Sequence, residues 1–280
     1  MEKEIFQGHG DHIDGIMPAD QFVTEHIRDV LEKSVFAGKF QTEVELDEGP
    51  YVADVFALTY GKGSLRMDAL IVPSKDGKTN RFVSTYPSMD GKASRVKIEK
   101  VFEWRNKIEA TVFCSYQNFD LAFFAVDYFK NKDKYVVGNE VDIELAALGI
   151  NVREAQREFS FEGQKAVDWL AKMGDEPTYD SEGNVEPVRF DMESLVAFMS
   201  TTETMPDMFQ FQSPARNIRK TDLVGVDFFC ADITAHRKDY GYESTDEDLI
   251  IPIYFRQDFF PQFKEEDPLS GMLWLTGRVS

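Results

Sequence analysis

Two histidines and an aspartate stand close together near the start of the chain, at His9, Asp11 and His12. They belong to the glycine-containing segment Gln7-Gly8-His9-Gly10-Asp11-His12-Ile13-Asp14-Gly15. Imidazole nitrogens and carboxylate oxygens are ligands that Zn²⁺ takes in catalytic sites. We therefore consider His9, Asp11 and His12 as candidate metal ligands, which would serve a hydrolase.

The same three residues resemble the latter part of the H-x-H-x-D-H loop of metallo-β-lactamase-type hydrolases, over about six residues, with Gln7 where the first histidine would stand. The resemblance implies zinc-dependent hydrolysis. The chain has only two further histidines, His26 and His236, and a catalytic site built on three histidines needs more than this segment offers. We favour a Gly/His turn before the first helix and expect no cofactor. A metal- or carboxylate-dependent hydrolase is the first alternative.

Other catalytic patterns are absent from the sequence. It contains no G-x-S-x-G, no phosphate-binding G-x-x-x-x-G-K-[ST], no G-x-G-x-x-G after a strand and no C-x-x-C. Cys114 and Cys230 each end an apolar strand pattern, as small buried hydrophobic residues do. These observations favour a protein that binds a partner or ligand without catalysis.

A basic strip runs from Lys75 to Lys107. This segment contains nine Lys and Arg residues and four Asp and Glu residues, which gives it a net charge of +5. Its simplest role is a solvated surface that offsets acidic neighbours. It also supplies four candidate ligand-binding residues for an anionic ligand, Lys97, Lys100, Trp104 and Arg105. Cationic and aromatic side chains together are typical of OB-type oligonucleotide or sugar binders, which is the second alternative.

A second charged segment is acidic and contains Tyr240 and Tyr242. Its candidate residues for a cation or a basic partner are Asp239, Glu243, Asp246, Glu247 and Asp248. Otherwise the segment is a solvated hairpin tip.

Composition bounds the possible partners. The 280 residues carry a formal charge of −19, which works against binding to double-stranded nucleic acid or an anionic membrane. A hydrophobic content of 42% and an aromatic content of 13% predict a packed interior. We see no apolar run long enough for a membrane span and no apolar segment in the first twenty residues that would act as a secretory signal. With only two cysteines, a cytoplasmic protein is expected.

Helical periodicity predicts a helix over Pro18–Ala37, a short one over Arg153–Glu158, a third over Gly163–Met173 and a fourth from Asp191 to Met199. Elsewhere the period is two. The predicted strands are Val52–Tyr60, Leu65–Val72, Arg81–Tyr86, Val96–Phe102 and Lys107–Cys114. Two runs, Leu121–Tyr128 and Leu249–Phe255, are apolar on both faces and should be central strands, with a free edge or bulge at Pro252.

An internal repeat organises these strands. A strand ending in Phe-Cys, a strand ending in Tyr-Phe, a turn and a long strand occur in this order at Phe113–Ile150 and again at Phe229–Val279. The sequence therefore predicts an α+β protein, mainly antiparallel β, with two related small OB-like β-barrel or sandwich modules and helices at the N-terminus and between them.

The predicted limits are an N-terminal helical segment (1–50), a first β module (51–150), a helical connector with an acidic loop (151–204) and a second β module (205–280). The predicted function is a non-catalytic binding or assembly protein. Its partner is expected to be another protein or a second copy of the chain.

Overall fold

The computed structural model describes residues 5–238 and 248–280. Its helical elements are few and short. They are α1 (Gly10–Ile13), α2 (Ala19–Gln21), a π-helical turn (Phe22–His26), α3 (Ile27–Lys33), α4 (Tyr128–Asn131), α5 (Gln164–Met173), and 3₁₀ turns at Lys132–Lys134 and Gln257–Phe259. No helix in the described ranges combines the length and the apolar character that crossing a bilayer requires.

An antiparallel meander of four strands forms the first sheet. Its strands are β1 (Val35–Leu46), β2 (Gly49–Tyr60), β3 (Leu65–Pro73) and β4 (Asn80–Met89). The glycines at 61 and 63 have φ of 95° and 93°, which only glycine adopts readily, and so permit the tight connection between β2 and β3. The strands predicted on either side of these glycines, Val52–Tyr60 and Leu65–Val72, are confirmed, and they pair antiparallel.

Ten strands of the described chain form one larger sheet, and a separate two-stranded sheet lies beside it. The pair is β10 (Glu158–Phe161) and β11 (Val188–Asp191). The larger sheet contains β5 (Lys92–Glu103), β6 (Ala110–Tyr116), β7 (Phe119–Ala125), β8 (Glu140–Gly149), β9 (Arg153–Glu154), β12 (Ala197–Ser200), β13 (Met208–Leu223), β14 (Val226–His236), β15 (Leu249–Arg256) and β16 (Pro268–Val279). Because β16 also pairs with β13 and β8, this sheet closes into a ring.

The strands β5–β8 and β13–β16 pair in the same pattern. In the first quartet, β6 pairs with β5 and β7, and β5 pairs with β8. In the second, β14 pairs with β13 and β15, and β13 pairs with β16. Lys100 stands opposite Phe113 with its Nζ 5.6 Å from the ring centroid, and Lys220 stands opposite Phe229 at the same distance. Mainly antiparallel β structure is confirmed, whereas two separate OB-like barrels are not, since both quartets belong to one sheet.

Two hydrophobic cores use the two faces of the large sheet. Phe123 lies in one core and its neighbour Phe124 in the other, and Leu273 and Trp274 divide in the same way. The second core lies between this sheet, the four-stranded sheet and the N-terminal helices. Burial on both faces explains the continuous apolar runs and confirms that these strands are central. The first of them ends earlier than predicted, at Ala125, and Tyr128 begins α4. Pro252 pairs only with Asp232 of β14, just before β15 meets β8 at Ile253, so its missing N–H lies on a free edge as predicted.

Several predicted helices are wrong. The first ends at Lys33, and Val35 and Phe36 begin β1, where they pair with β2. The N-terminal segment 1–50 is therefore partly strand rather than wholly helical. β-branched and aromatic residues favour a strand when a neighbouring strand is available to pair with them. Here the pairing with β2 outweighs the helical periodicity of the sequence.

The connector contains one predicted helix, α5, which ends at Gly174 with a left-handed φ of 82°. The segment 153–158 instead contains β9 and the start of β10, and 191–199 contains the end of β11 and the start of β12. Phe190 packs on Trp169 of α5, and Phe198 on Phe209 of β13. These aromatic contacts explain why 191–199 is extended, and the pairing of β9 with β16 and of β10 with β11 explains why 153–158 is extended. The four domain limits stay predictions.

Candidate functional site

An open cleft of about 960 Å³ lies between the N-terminal segment, the four-stranded sheet and the turn that joins β5 to β6. Its walls come from five parts of the chain: residues 5–9, residues 45–47, residues 81–85, residues 104–106 together with 109, and residues 204–205. The N-terminal segment is held there by two hydrogen bonds. The Phe6 N–H donates to the carbonyl of Thr204 at 2.8 Å, and the Arg105 N–H donates to Oε1 of Gln7 at 2.7 Å.

His9 and Glu109 form a buried pair at the base of the cleft. The His9 Nε2 atom lies 2.7 Å from Glu109 Oε1, and the two residues are 9% and 2% exposed. A carboxylate only accepts hydrogen bonds, so Nε2 carries the proton and donates it. The side-chain amide of Asn106 donates to the other carboxylate oxygen. Both oxygens of Glu109 therefore have partners.

The local sequence explains how Glu109 reaches this position. The Lys107 N–H donates to the carbonyl of Trp104, and the Trp104 N–H to the carbonyl of Glu109, which closes a tight turn with Lys107 at a φ of 68°. Asn106 Oδ1 accepts from the N–H groups of Ile108 and Glu109 at 3.1 and 3.2 Å. Asn commonly bonds the backbone two residues on, and here this bond stabilises the turn.

His12 extends the network deeper into the core. Its Nδ1 lies 3.2 Å from Nδ1 of His9, the residue directly before α1, and His12 is 2% exposed. Burial, and then the proximity of His9, hold the pKa of His12 well below its ordinary value of 6.5. This favours a neutral His12, whose Nδ1–H can donate to Nδ1 of His9 because the ring proton of His9 lies on Nε2.

Four aromatic rings surround His9. Trp104 stacks on it with the ring centroids 5.1 Å apart, and Phe124 meets it edge-on at 4.7 Å. Tyr86 and Trp274 lie at 5.1 and 5.9 Å. Trp274 also stacks on His12 at 4.1 Å with nearly parallel planes. Such rings fix the orientation of both imidazoles and exclude water from most of their surface.

A buried carboxyl group completes the network on the far side of Trp274. The indole Nε1–H donates to Oδ2 of Asp207 at 3.0 Å, and the N–H of Leu275 donates to the Asp207 carbonyl at 2.8 Å. Asp207 is 5% exposed, and burial raises its pKa above the ordinary value. The indole hydrogen bond and the nearby His9 oppose this rise.

The wall of the cleft has polar and apolar parts. Ser84 is 8% exposed, and its Oγ has no hydrogen-bond partner among the described residues. Phe6 and Phe82 line the same cleft and are 48% and 45% exposed. Arg81 contacts the carboxylates of Glu48 and, at 3.5 Å, Asp47. The cleft thus combines exposed rings with charged side chains at its mouth.

The predicted metal ligands are only partly described. His9 and His12 lie together as proposed, at the distance of a hydrogen bond between their Nδ1 atoms. The side chain of Asp11 is outside the described part of the structure. In that part, no group of three or more His, Cys, Asp and Glu side chains could hold a metal ion. The three-residue metal site stays a prediction.

The basic strip divides between two locations. Trp104 and Arg105 line the cleft, with Trp104 buried and Arg105 exposed. Lys97 and Lys100 are exposed on β5 and do not line it. Lys97 pairs with Glu99 at 3.0 Å. The four candidate ligand-binding residues therefore do not form one site in this fold.

Most of the acidic segment lies outside the described residues: Asp239, Glu243, Asp246 and Glu247. Asp248 is described and is 7% exposed, and its Oδ1 accepts a hydrogen bond from the Lys238 N–H at 3.2 Å. Cys114 and Cys230 are both free and buried, as predicted for small hydrophobic residues. Burial raises the pKa of both thiols, which disfavours the reactive thiolate.

Sequence reasoning missed Glu109, Ser84, Asp207 and Trp274. None of them carried a distinctive signal: Glu109 stands directly before the apolar run Ala110-Thr111-Val112-Phe113-Cys114, a position where an exposed carboxylate is equally common. Comparison of the chain with protein-family models, with curated proteins and with solved structures found no match.

Proposed function

We propose that this is a non-catalytic binding or assembly protein, and that the cleft is its binding site. One observation carries the proposal: the hydroxyl of Ser84 is buried in the cleft wall without a hydrogen-bond partner among the described residues. An unpaired buried hydroxyl costs about 1–3 kcal/mol. A serine with this cost is more easily understood where a bound ligand supplies the missing hydrogen-bond partner.

The contacts of His9 support binding rather than catalysis. Its Nε2 is engaged by Glu109 and its Nδ1 by His12, so neither nitrogen is directed to a substrate. Ser84 has no base within hydrogen-bonding distance among the described residues, although a serine nucleophile requires one. A metal- or carboxylate-dependent hydrolase, and an OB-type oligonucleotide or sugar binder, remain the alternative proposals.

We also propose that the quartets β5–β8 and β13–β16 descend from one duplicated module. Their identical pairing pattern and the matching Lys100–Phe113 and Lys220–Phe229 pairs support this. The buried free cysteines favour a reducing cytoplasm. In this proposal the quartets are the scaffold, and the cleft formed with the four-stranded sheet is the recognition site.

Affinity capture from an extract of the native cell tests the binding proposal. Three immobilised proteins are compared: wild type, Arg105→Glu inside the cleft, and Lys97→Glu on β5 as a control with the same change in charge. Proteins and small molecules retained by each are identified by mass spectrometry. A species whose retention differs between wild type and Arg105→Glu, in either direction, but not between wild type and Lys97→Glu supports the proposal. The same retained set on all three folded proteins overturns it.

A further inference from the structure

The edge of the four-stranded sheet at the cleft is open. Strand β4 pairs with β3 on one side, and no strand of the described chain pairs with its other side. The second half of β4, from Thr85 to Met89, is buried. The first half differs, because Asn80 and Phe82 are exposed. The accessible residues of this edge are therefore Asn80–Val83, of which Arg81 onwards lines the cleft.

The pairing register fixes which backbone groups face outward. The Ser74 N–H donates to the carbonyl of Thr79 at the turn between β3 and β4. Antiparallel pairs alternate between bonded and non-bonded, so the next pair, Pro73 with Asn80, is non-bonded, as the missing N–H of proline requires. By the same alternation Phe82, opposite Ile71, directs its N–H and C=O away from β3.

A β-bulge at Val83 separates the two side chains that matter most. Phe82 pairs with Ile71 and Ser84 with Leu70, which leaves Val83 as the extra residue in β4. In a regular strand, Phe82 and Ser84 would occupy the same face. The bulge instead allows Phe82 to be exposed at the mouth while Ser84 is buried.

We infer that the ligand of the cleft is an extended peptide segment of a partner protein, which adds as a strand to the edge of β4 at Asn80–Val83. This inference rests on the proposed function and names its partner. An open edge offers donors and acceptors that repeat every two residues, about 6.8 Å, and an extended peptide matches that spacing. Phe6 and Phe82 provide apolar contact for alternate peptide side chains.

Charge specifies the peptide further. Asp47 lines the cleft with its side chain 96% exposed, and Glu45 lies beside it on β1. Two cations of the described chain line the cleft: Arg81, which is already engaged by Asp47 and Glu48, and the exposed Arg105 on the turn before β6. The whole chain carries −19. The expected peptide therefore alternates apolar residues with lysine or arginine, and the negative field speeds its association.

The test uses phage-displayed random short peptides selected on the wild-type protein. Selected peptides are synthesised, and their dissociation constants are measured by fluorescence polarisation with wild type, Phe82→Ala and Phe82→Pro. Both variants lose the ring, but only the proline loses the outward N–H. We expect Phe82→Pro to bind about tenfold more weakly than Phe82→Ala, the equivalent of one hydrogen bond. N-methylation at alternate peptide residues should abolish binding.

Hydrogen exchange provides a second measurement that does not depend on the folding of Phe82→Pro. The Phe82 amide should exchange rapidly in the free wild-type protein and become protected when the peptide binds. Equal affinity for the two variants, or no protection at Phe82, overturns the inference. If no peptide is selected while the capture experiment finds a small molecule that depends on Arg105, the peptide inference fails and the binding proposal stands. If capture finds no species that depends on Arg105, the binding proposal itself fails.

Discussion

Glu109 holds His9 through a 2.7 Å contact between Oε1 and Nε2, across 100 residues of sequence. The contact joins the N-terminal segment to the turn before β6, so it fixes one wall of the cleft. Both side chains are buried, and the second carboxylate oxygen is satisfied by Asn106. Removing either partner would leave the other as an unpaired polar or charged group in a dry environment.

Replacement of Glu109 tests this relationship. We expect Glu109→Ala to lower the free energy of unfolding by about 3–5 kcal/mol, because the buried imidazole and the Asn106 amide both lose their acceptor. Glu109→Gln retains a carbonyl acceptor and should lose less. Urea unfolding followed by tryptophan fluorescence measures both. Glu99→Ala, which removes an exposed carboxylate paired with Lys97, is the control and should change stability by about 1 kcal/mol or less. A loss as small for Glu109→Ala would contradict the buried pair.

The neutral state of His12 predicts a dependence on acid. Burial holds the pKa of His12 in the folded protein well below 6.5. At a pH between the two pKa values, His12 is therefore protonated in the unfolded chain and neutral in the folded protein. This contribution to stability is complete above the unfolded pKa and is lost as the pH falls from about 7 towards 5. His12→Asn does not titrate there, so it should lose less stability than wild type over this range. Urea midpoints at the two pH values measure the difference. Parallel losses in the two proteins would rule out this role for His12.

Much of the fold follows from local pattern. The glycines at 61 and 63, the turn signals and the period-two runs locate β2, β3 and β4 of the first sheet. The two-sided apolar runs identify β7 and β15 as central. In contrast, the stretches around Val35, Phe190 and Phe198 fit a helix by periodicity and became strands because β2, α5 and β13 supply partners for their side chains. Those partners are distant in sequence, so no local window contains the deciding contact.

The site was predictable only in part for the same reason. His9, His12, Trp104 and Arg105 stood out by residue type, but the first pair indicated a metal and the second an anionic ligand. The two pairs meet where Glu109 contacts His9, which is 100 residues away in sequence. A residue type shows what chemistry is possible, whereas the chemistry available in the fold depends on which partner occupies each nitrogen and oxygen.

Asp207 predicts the opposite dependence on pH from His12. Burial raises its pKa in the fold, so its contribution to stability is complete below the unfolded value of 3.8 and is lost as the pH rises through the folded pKa. Asp207→Asn keeps a carbonyl acceptor for the Trp274 indole and cannot ionise. The stability of this variant relative to wild type should therefore increase between about pH 4 and pH 7. A constant difference in urea midpoint across that range would disprove the effect.

The contacts of the two histidines also predict the response to metal. Since His9 uses both nitrogens in contacts with Glu109 and His12, we expect no stoichiometric zinc in purified protein and no change of melting temperature on treatment with a chelator. His12→Ala should leave the metal content unchanged. Elemental analysis of wild type and His12→Ala provides the measurement. One equivalent of zinc in wild type that is lost in His12→Ala would revive the hydrolase alternative.

Ser84 should show opposed effects on stability and binding. Its buried Oγ has no partner among the described residues, so Ser84→Ala removes a desolvated hydroxyl without breaking a hydrogen bond there. We expect the free protein to become more stable by about 1 kcal/mol. If a ligand in the cleft bonds to this hydroxyl, the same variant should bind a selected peptide or captured ligand more weakly. A substitution that stabilises a protein at a functional position commonly costs function in this way.

Ser88→Ala is the control, because Ser88 is a buried serine of the same strand that does not line the cleft. Thermal melts and affinities of the two variants decide the matter: a Ser84→Ala protein that is less stable, or that binds as tightly as wild type, would mean that this hydroxyl is not reserved for a ligand.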